Sequence, residues 1–290
     1  MSLPFIFARR APRVLPSFTN ATPHLMQQWR RNSTMHIAPP QSVPPLNNIG
    51  IWAEEGVKGV FSKRAFDTAW TNYQRGLVDN LNRLIGGTEY ANMTPLDIAV
   101  VSARQADLAA VFNYASQAHN NHFFFEGLSS SKVPVPESIM TRIPFGFASE
   151  QALRTELLTT ASKMFGNGWV WLVLDQNRYL RILCTYNAGT PYGAAYRRQD
   201  TDLNTRETLG DVNAMTDSIR QSTQGSNSNW AIPLLNINCW EHAWLEDFGI
   251  NGKDRYLEAV WEAIDWNVVA SRCPVLYRDG TPSLRRPFSR

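Results

Sequence analysis

The chain has 290 residues, 43% of them hydrophobic and 11% aromatic, with ten tryptophans and a formal net charge of +3. That composition suits a packed globular core, and no apolar run reaches the roughly 20 residues that a membrane-spanning helix needs. The three cysteines, Cys184, Cys239 and Cys273, form neither a CxxC pair nor an even set, so a secreted disulfide scaffold is disfavoured and a reducing compartment is expected.

Charge is distributed unevenly. No acidic residue precedes Glu54, whereas Arg9, Arg10, Arg13, Arg30 and Arg31 do. With Ser, Thr and apolar residues between them, residues 1–33 read as a mitochondrial presequence rather than a basic RNA-binding arm, with cleavage expected near Arg31-Asn32-Ser33. Removing those five arginines takes the formal charge from +3 to −2. The remaining body is then no RNA-coating protein, and any RNA contact should be local.

Residues 34–60 are predicted to be an extended lead-in, because His36–Asn48 is rich in proline and polar residues. Residues 61–130 form a helical hairpin domain. In its first arm Phe66, Trp70, Tyr73, Leu77, Leu81 and Leu84 recur at spacings of three and four. Gly86-Gly87 stops that helix. Thr94-Pro95, an N-cap followed by proline at the first helical position, starts the second arm. This interrupted helical region carries Leu108, Val111, Phe112, Ala115, His119 and Phe123 towards Leu128. Ser129–Phe147 reads as a linker. Residues 148–273 form an α/β domain. Ser149 caps a helix through Met164, Gly168–Asp175 and Arg178–Tyr186 make a hairpin across Gln176-Asn177, and Ile232–Cys239 is a third strand. Asp254–Arg272 is the closing helix. Residues 191–229 are too long and polar for a plain connection and read as an insertion, disordered or ordered by a partner. Residues 274–290 are a basic tail with Arg278, Arg285, Arg286 and Arg290, either an RNA contact or a solvated terminus. The fold class is therefore α+β: a long antiparallel helical hairpin, then a three-stranded antiparallel sheet flanked by helices.

Several of these segments share motifs with one family. Phe165-Gly-Asn-Gly-Trp-Val-Trp-Leu-Val173, Pro233-Leu-Leu235, Trp240-Glu-His-Ala243, Tyr256-Leu-Glu-Ala-Val-Trp261 and Trp266-Asn267 together resemble the iron/manganese superoxide dismutases over roughly residues 60 to 273. The resemblance implies a metal held by three histidines and one aspartate. The first histidine falls on Ala69, and the tyrosine that gates the site falls on Leu77. The second falls on Asn121 when the aromatics of Asn120-Asn121-His122-Phe123-Phe124-Phe125 are aligned without a gap, or on His122 with one. The aspartate falls on Asn238 and the third histidine on His242. The outer-sphere glutamine of the family falls on Ala188 or, as in another group of members, on Gln117. Only His242 certainly retains its donor, and two imidazoles do not hold iron or manganese against water. A degenerate site at Ala69, Asn121, Asn238 and His242 is thus expected, with no metal, no cofactor and no catalysis. A new zinc site from His119, His122, His242 and Cys239 is disfavoured, because no cysteine pair accompanies them.

Glu241 and His242 are candidate dimer-interface residues, since in the family that glutamate crosses between subunits; the alternative is that they mark the packed centre of the domain. Gly56-Val-Lys-Gly-Val-Phe-Ser62 and Phe112-Asn-Tyr-Ala115 resemble in particular the dismutase-like proteins of the fungal mitochondrial small ribosomal subunit. The expected role is structural: a mitoribosomal protein in the mitochondrial matrix, paired with a dismutase-like paralogue, with limited rRNA contact and no membrane. The rival readings are an active mitochondrial dismutase and a free-standing pseudoenzyme.

Overall fold

A computed structural model describes residues 39–175, 177–196 and 231–274. The predicted presequence, the insertion beyond residue 196 and the tail beyond Pro274 lie outside the described residues. Helix signals in the first half are local and strong. Ser62 Oγ accepts from Ala65 N and starts α2, Lys63–Phe66. This helix continues through a π-helical segment, Asp67–Asn72, into α3, Tyr73–Ile85, which runs to Gly86. Thr94 accepts from Asp97 N with Pro95 behind it and starts α4, Pro95–Ser102. A short 3₁₀ turn at Ala106–Leu108 leads into α5, Ala109–Glu126. Leu81, Ile85, Ile98, Val111, Phe112 and Ala115 close the far end of the α3–α5 hairpin.

The lead-in is not wholly extended, contrary to expectation. Ile49–Glu55 forms α1, which buries Trp52 and directs its Nε1 to Ser130 Oγ at 2.8 Å. Gly56 ends it at φ 78°, where a Cβ would lie 2.2 Å from the Phe61 carbonyl oxygen, so only glycine fits. The linker is likewise partly ordered. Glu137–Met140 (α6) and a 3₁₀ turn at Ile143–Phe145 bury Ile139 and Ile143 in the main core.

In the second half, Ser149 Oγ accepts from Ala152 N and caps α7, Glu150–Lys163. The sheet is β1, Gly168–Leu174; β2, Leu180–Tyr186; and β3, Ile232–Asn238. The order is β2-β1-β3 and every pairing is antiparallel, with Trp171 opposite Leu183 and Asn236, and Trp169 opposite Asn238. The central strand β1 is buried along its whole length, as a strand covered on both faces must be. After β2 comes one turn of helix, α8, Gly193–Tyr196. After β3 come a 3₁₀ turn at Glu241–Ala243 and α9, Leu245–Phe248.

The closing helix is two helices, not one: α10, Lys253–Glu262, and α11, Trp266–Arg272. Asp265 causes the break. Its carboxylate accepts from Asn267 N and Val268 N as an N-cap, and its own N–H goes to the Gly127 carbonyl at 2.9 Å. The main core is continuous across both halves, with Phe66, Trp70, Phe124 and Phe125 of the helices packed in one cluster with Trp169, Trp171, Tyr256 and Leu257.

Candidate vestigial metal site

Four elements meet at the positions carried over from the family. The π segment brings Ala69, fully buried. Helix α5 brings Gln117 and Asn121, one turn apart on the same face. The end of β3 brings Asn238, and the 3₁₀ turn after it brings His242. A π turn takes one more residue than an α turn. It therefore rotates the following helix by about 100° relative to what precedes it and presents side chains that a uniform helix would not.

The side chains make short hydrogen-bonded chains. Asn121 Nδ2 donates to the Ala69 carbonyl at 3.2 Å and to Gln74 Oε1 at 3.0 Å. Gln74 Nε2 donates in turn to the Ala118 carbonyl at 2.9 Å. Trp169 Nε1 donates to Gln117 Oε1 at 3.2 Å, and Gln117 Nε2 donates to the Tyr73 hydroxyl at 3.1 Å. The Tyr73 ring lies against the His242 imidazole, 4.1 Å between centroids. Asn238 Oδ1 accepts from the Trp240 N–H at 2.9 Å, and the Asn238 carbonyl accepts from the buried Tyr256 hydroxyl at 3.0 Å. Burial pushes the Tyr73 phenol up to about 12 and the His242 imidazole down to about 4, so both are neutral near pH 7.

These residues do not fit iron or manganese. Ala69 offers a methyl group. Asn238 has committed its oxygen to Trp240 and turns its NH₂ away from that contact, and an amide in any case supplies no negative charge. Asn121 keeps one free oxygen and His242 one free nitrogen. Among the described residues no group of three or more His, Cys, Asp or Glu could hold a metal ion.

The other sequence candidates go elsewhere. His122 points to the lead-in, with Nε2 3.2 Å from the Pro45 carbonyl and its ring 5.9 Å from that of Trp70. His119 Nε2 pairs with the Tyr192 hydroxyl at 2.8 Å. Cys239 is buried, its Sγ 4.0 Å from the Ala161 carbonyl. The Ala188 carbonyl accepts from Ser116 Oγ. Leu77, the expected gate position, is buried core, and the phenol in the site comes from Tyr73 instead. Gln74 and Tyr73 were not singled out from the sequence as site residues. Their signal was a polar Gln at a helix position that turns out fully buried, and a Tyr one turn before Leu77. Gln117 was singled out, and the structure ties it to Trp169 and Tyr73.

Burial also sets an acid limit. His119 is pushed down to about 3 and His242 to about 4, chiefly by burial. Unfolded histidine titrates near 6.5, so below that pH the unfolded chain takes up protons that the fold refuses. The contribution is complete above about pH 6.5 and is lost as pH falls towards the folded values. Both residues are only half-buried over their whole surface, so the expected loss between pH 7 and pH 5 is about 2 kcal/mol for the pair, less than full linkage gives. Denaturant midpoints of the parent and of His119→Gln at the two pH values test it: the variant should show a smaller pH dependence.

Comparison with known proteins agrees with this architecture. The model for iron/manganese superoxide dismutases, C-terminal domain, matches residues 136–199 and 205–272. The small ribosomal subunit protein mS43 of Schizosaccharomyces pombe is 32% identical over 222 residues, covering 73% of this chain and 79% of that protein. The small ribosomal subunit protein mS42 of the same organism is 32% identical over 228 residues, covering 75% and 90%. An iron superoxide dismutase of Legionella pneumophila is 30% identical over 211 residues, covering 72% and 88%. The chain belongs to the iron/manganese superoxide dismutase family.

Proposed function

We propose that the chain is a structural, non-enzymatic component of the small ribosomal subunit in the mitochondrial matrix. The observation that carries this reading is the ligand set. Four positions that would cage a redox ion are a methyl group, two amides and one imidazole, on a fold otherwise intact. A dismutase fold that has lost its ion works through its surfaces, since function follows the site and not the fold. Similarity to mS43 and mS42 supplies the kind of assembly. The partner is a dismutase-like paralogue, docked on the face that carries Glu241 and His242. Phe165, 94% exposed, lies two residues before Asn167, whose Oδ1 accepts the Glu241 N–H at 3.3 Å. An exposed aromatic side chain is the composition of an interface anchor.

In a gradient of mitochondrial lysate the protein should travel with the small subunit, and purified protein should lack dismutase activity and stoichiometric iron or manganese. Phe165→Asp should weaken pairing with the paralogue by about 30-fold or more, the effect of losing an aromatic anchor, with folding unaffected because the ring touches solvent. A stoichiometric ion with dismutase turnover would instead return the chain to the active enzymes. Sedimentation at the top of the gradient would make it a free-standing pseudoenzyme.

A further inference from the structure

At the former ligand positions themselves three buried polar atoms have no protein partner, Asn121 Oδ1, Asn238 Nδ2 and His242 Nε2, and the indole Nε1 of Trp240, whose ring lies 5.7 Å from that of His242, is a further unpaired donor nearby. A buried polar atom left unpaired is unfavourable, and contacts link these three into one locus. Asn121 bonds to Gln74, the next residue along from Tyr73; Tyr73 lies on His242; and Gln117 connects Tyr73 to Trp169, the strand partner of Asn238.

The two amides are not free to flip. Asn121 must present its oxygen because both hydrogens of Nδ2 have acceptors, the Ala69 carbonyl and Gln74 Oε1. Asn238 must present its NH₂ because its oxygen is held by the Trp240 N–H. The site therefore offers one acceptor, one donor and one imidazole nitrogen. A cation needs lone pairs only, and the Asn238 NH₂ repels it. An anion needs donors only, and the Asn121 oxygen repels it. A neutral molecule that donates and accepts at once satisfies all three, and water does so with the usual number of partners for a buried site.

We propose that Asn121, Asn238 and His242 hold one ordered water molecule where the enzymes of this family hold their ion. The water donates to Asn121 Oδ1, accepts from Asn238 Nδ2 and takes His242 Nε2 as its third partner. It ties α5 to the end of β3 and to the turn after it, so the tie between the two halves of the fold survives without metal. Water is a better tenant than a void because three buried polar groups gain partners together.

The test uses the full chain and does not depend on where the protein docks. A high-resolution crystal structure of protein soaked in manganese chloride should show a single peak at hydrogen-bonding distance from all three atoms, without anomalous signal at the manganese edge. Water-selective nuclear Overhauser spectra of asparagine-labelled protein should show the Asn238 side-chain amide protons in contact with a long-lived water. An anomalous scatterer at the site overturns the proposal. So does a refined structure in which the three atoms bond to each other or to protein groups with no peak between them.

Discussion

Replacing Arg272 by methionine is expected to cost about 2–3 kcal/mol of folding stability, the effect of breaking a buried ion pair discounted for the solvent that reaches its partly exposed partner. The Arg272 side chain is only 11% exposed, and that of Glu126 35%. One guanidinium nitrogen donates to the Leu234 carbonyl at 3.1 Å; the other donates to the Phe123 carbonyl at 3.0 Å and to the Glu126 carboxylate at 2.9 Å. The guanidinium also lies 3.5 Å from the Phe123 ring centroid, a cation–π contact with little water around it. One planar fork thus closes α11 onto the C-terminal end of α5 and onto β3. Methionine fills most of the volume, so the loss comes from the stranded Glu126 carboxylate and two carbonyls rather than from a cavity. Arg272→Lys keeps the charge but cannot reach three acceptors in one plane, and should recover less than half of the loss. Urea unfolding of the three proteins at one pH checks this. Equal midpoints for parent and Arg272→Met would show the clamp to be energetically idle.

Such a clamp was not legible in the sequence, and the reason is general. Arg272 reads as a basic residue in the last turn of a helix, and nothing local says that it turns inward. What was legible is what local chemistry decides: the caps at Thr94 and Ser149, the stop at Gly86-Gly87, the hairpin of β1 and β2, and β3. Boundaries set by tertiary contact were misread. Asp265 looks like one polar position on a continuous amphipathic helix, but its carboxylate caps a new helix and its N–H is taken by Gly127. Trp52 needed Ser130, 78 positions away, to make α1 worth forming. The π segment leaves no signature in a three-and-four spacing, where Tyr73 is simply one residue of the apolar stripe; the gate expected at Leu77 follows from the family motif alone. The residue types at Ala69, Asn121, Asn238 and His242 were plain from the chain. The rotation of each amide was not, since it depends on a backbone N–H at Trp240 and on Gln74.

That rotation sets the largest expected effect at the site. Asn238→Asp changes one atom group. The carboxylate can still accept from the Trp240 N–H, but its second oxygen replaces the NH₂ and arrives as a fully buried charge without a cationic partner. Without a cation the substitution should cost about 2–4 kcal/mol at pH 7.5, the range for a buried polar or charged group that lacks a full set of partners. The same change removes the donor that excludes cations and leaves three ligand atoms of suitable type: the new carboxylate, His242 Nε2 and Asn121 Oδ1. Zinc stands above iron and manganese in affinity for such sites and has no redox chemistry to confuse the readout. Added zinc should therefore raise the melting temperature of Asn238→Asp, with a ceiling of about 3 kcal/mol at a hundredfold excess over its dissociation constant, and leave the parent protein where it was. Equal stabilisation of both proteins would mean that the asparagine does not guard the site, and that any exclusion of metal rests on Ala69 and Asn121 instead.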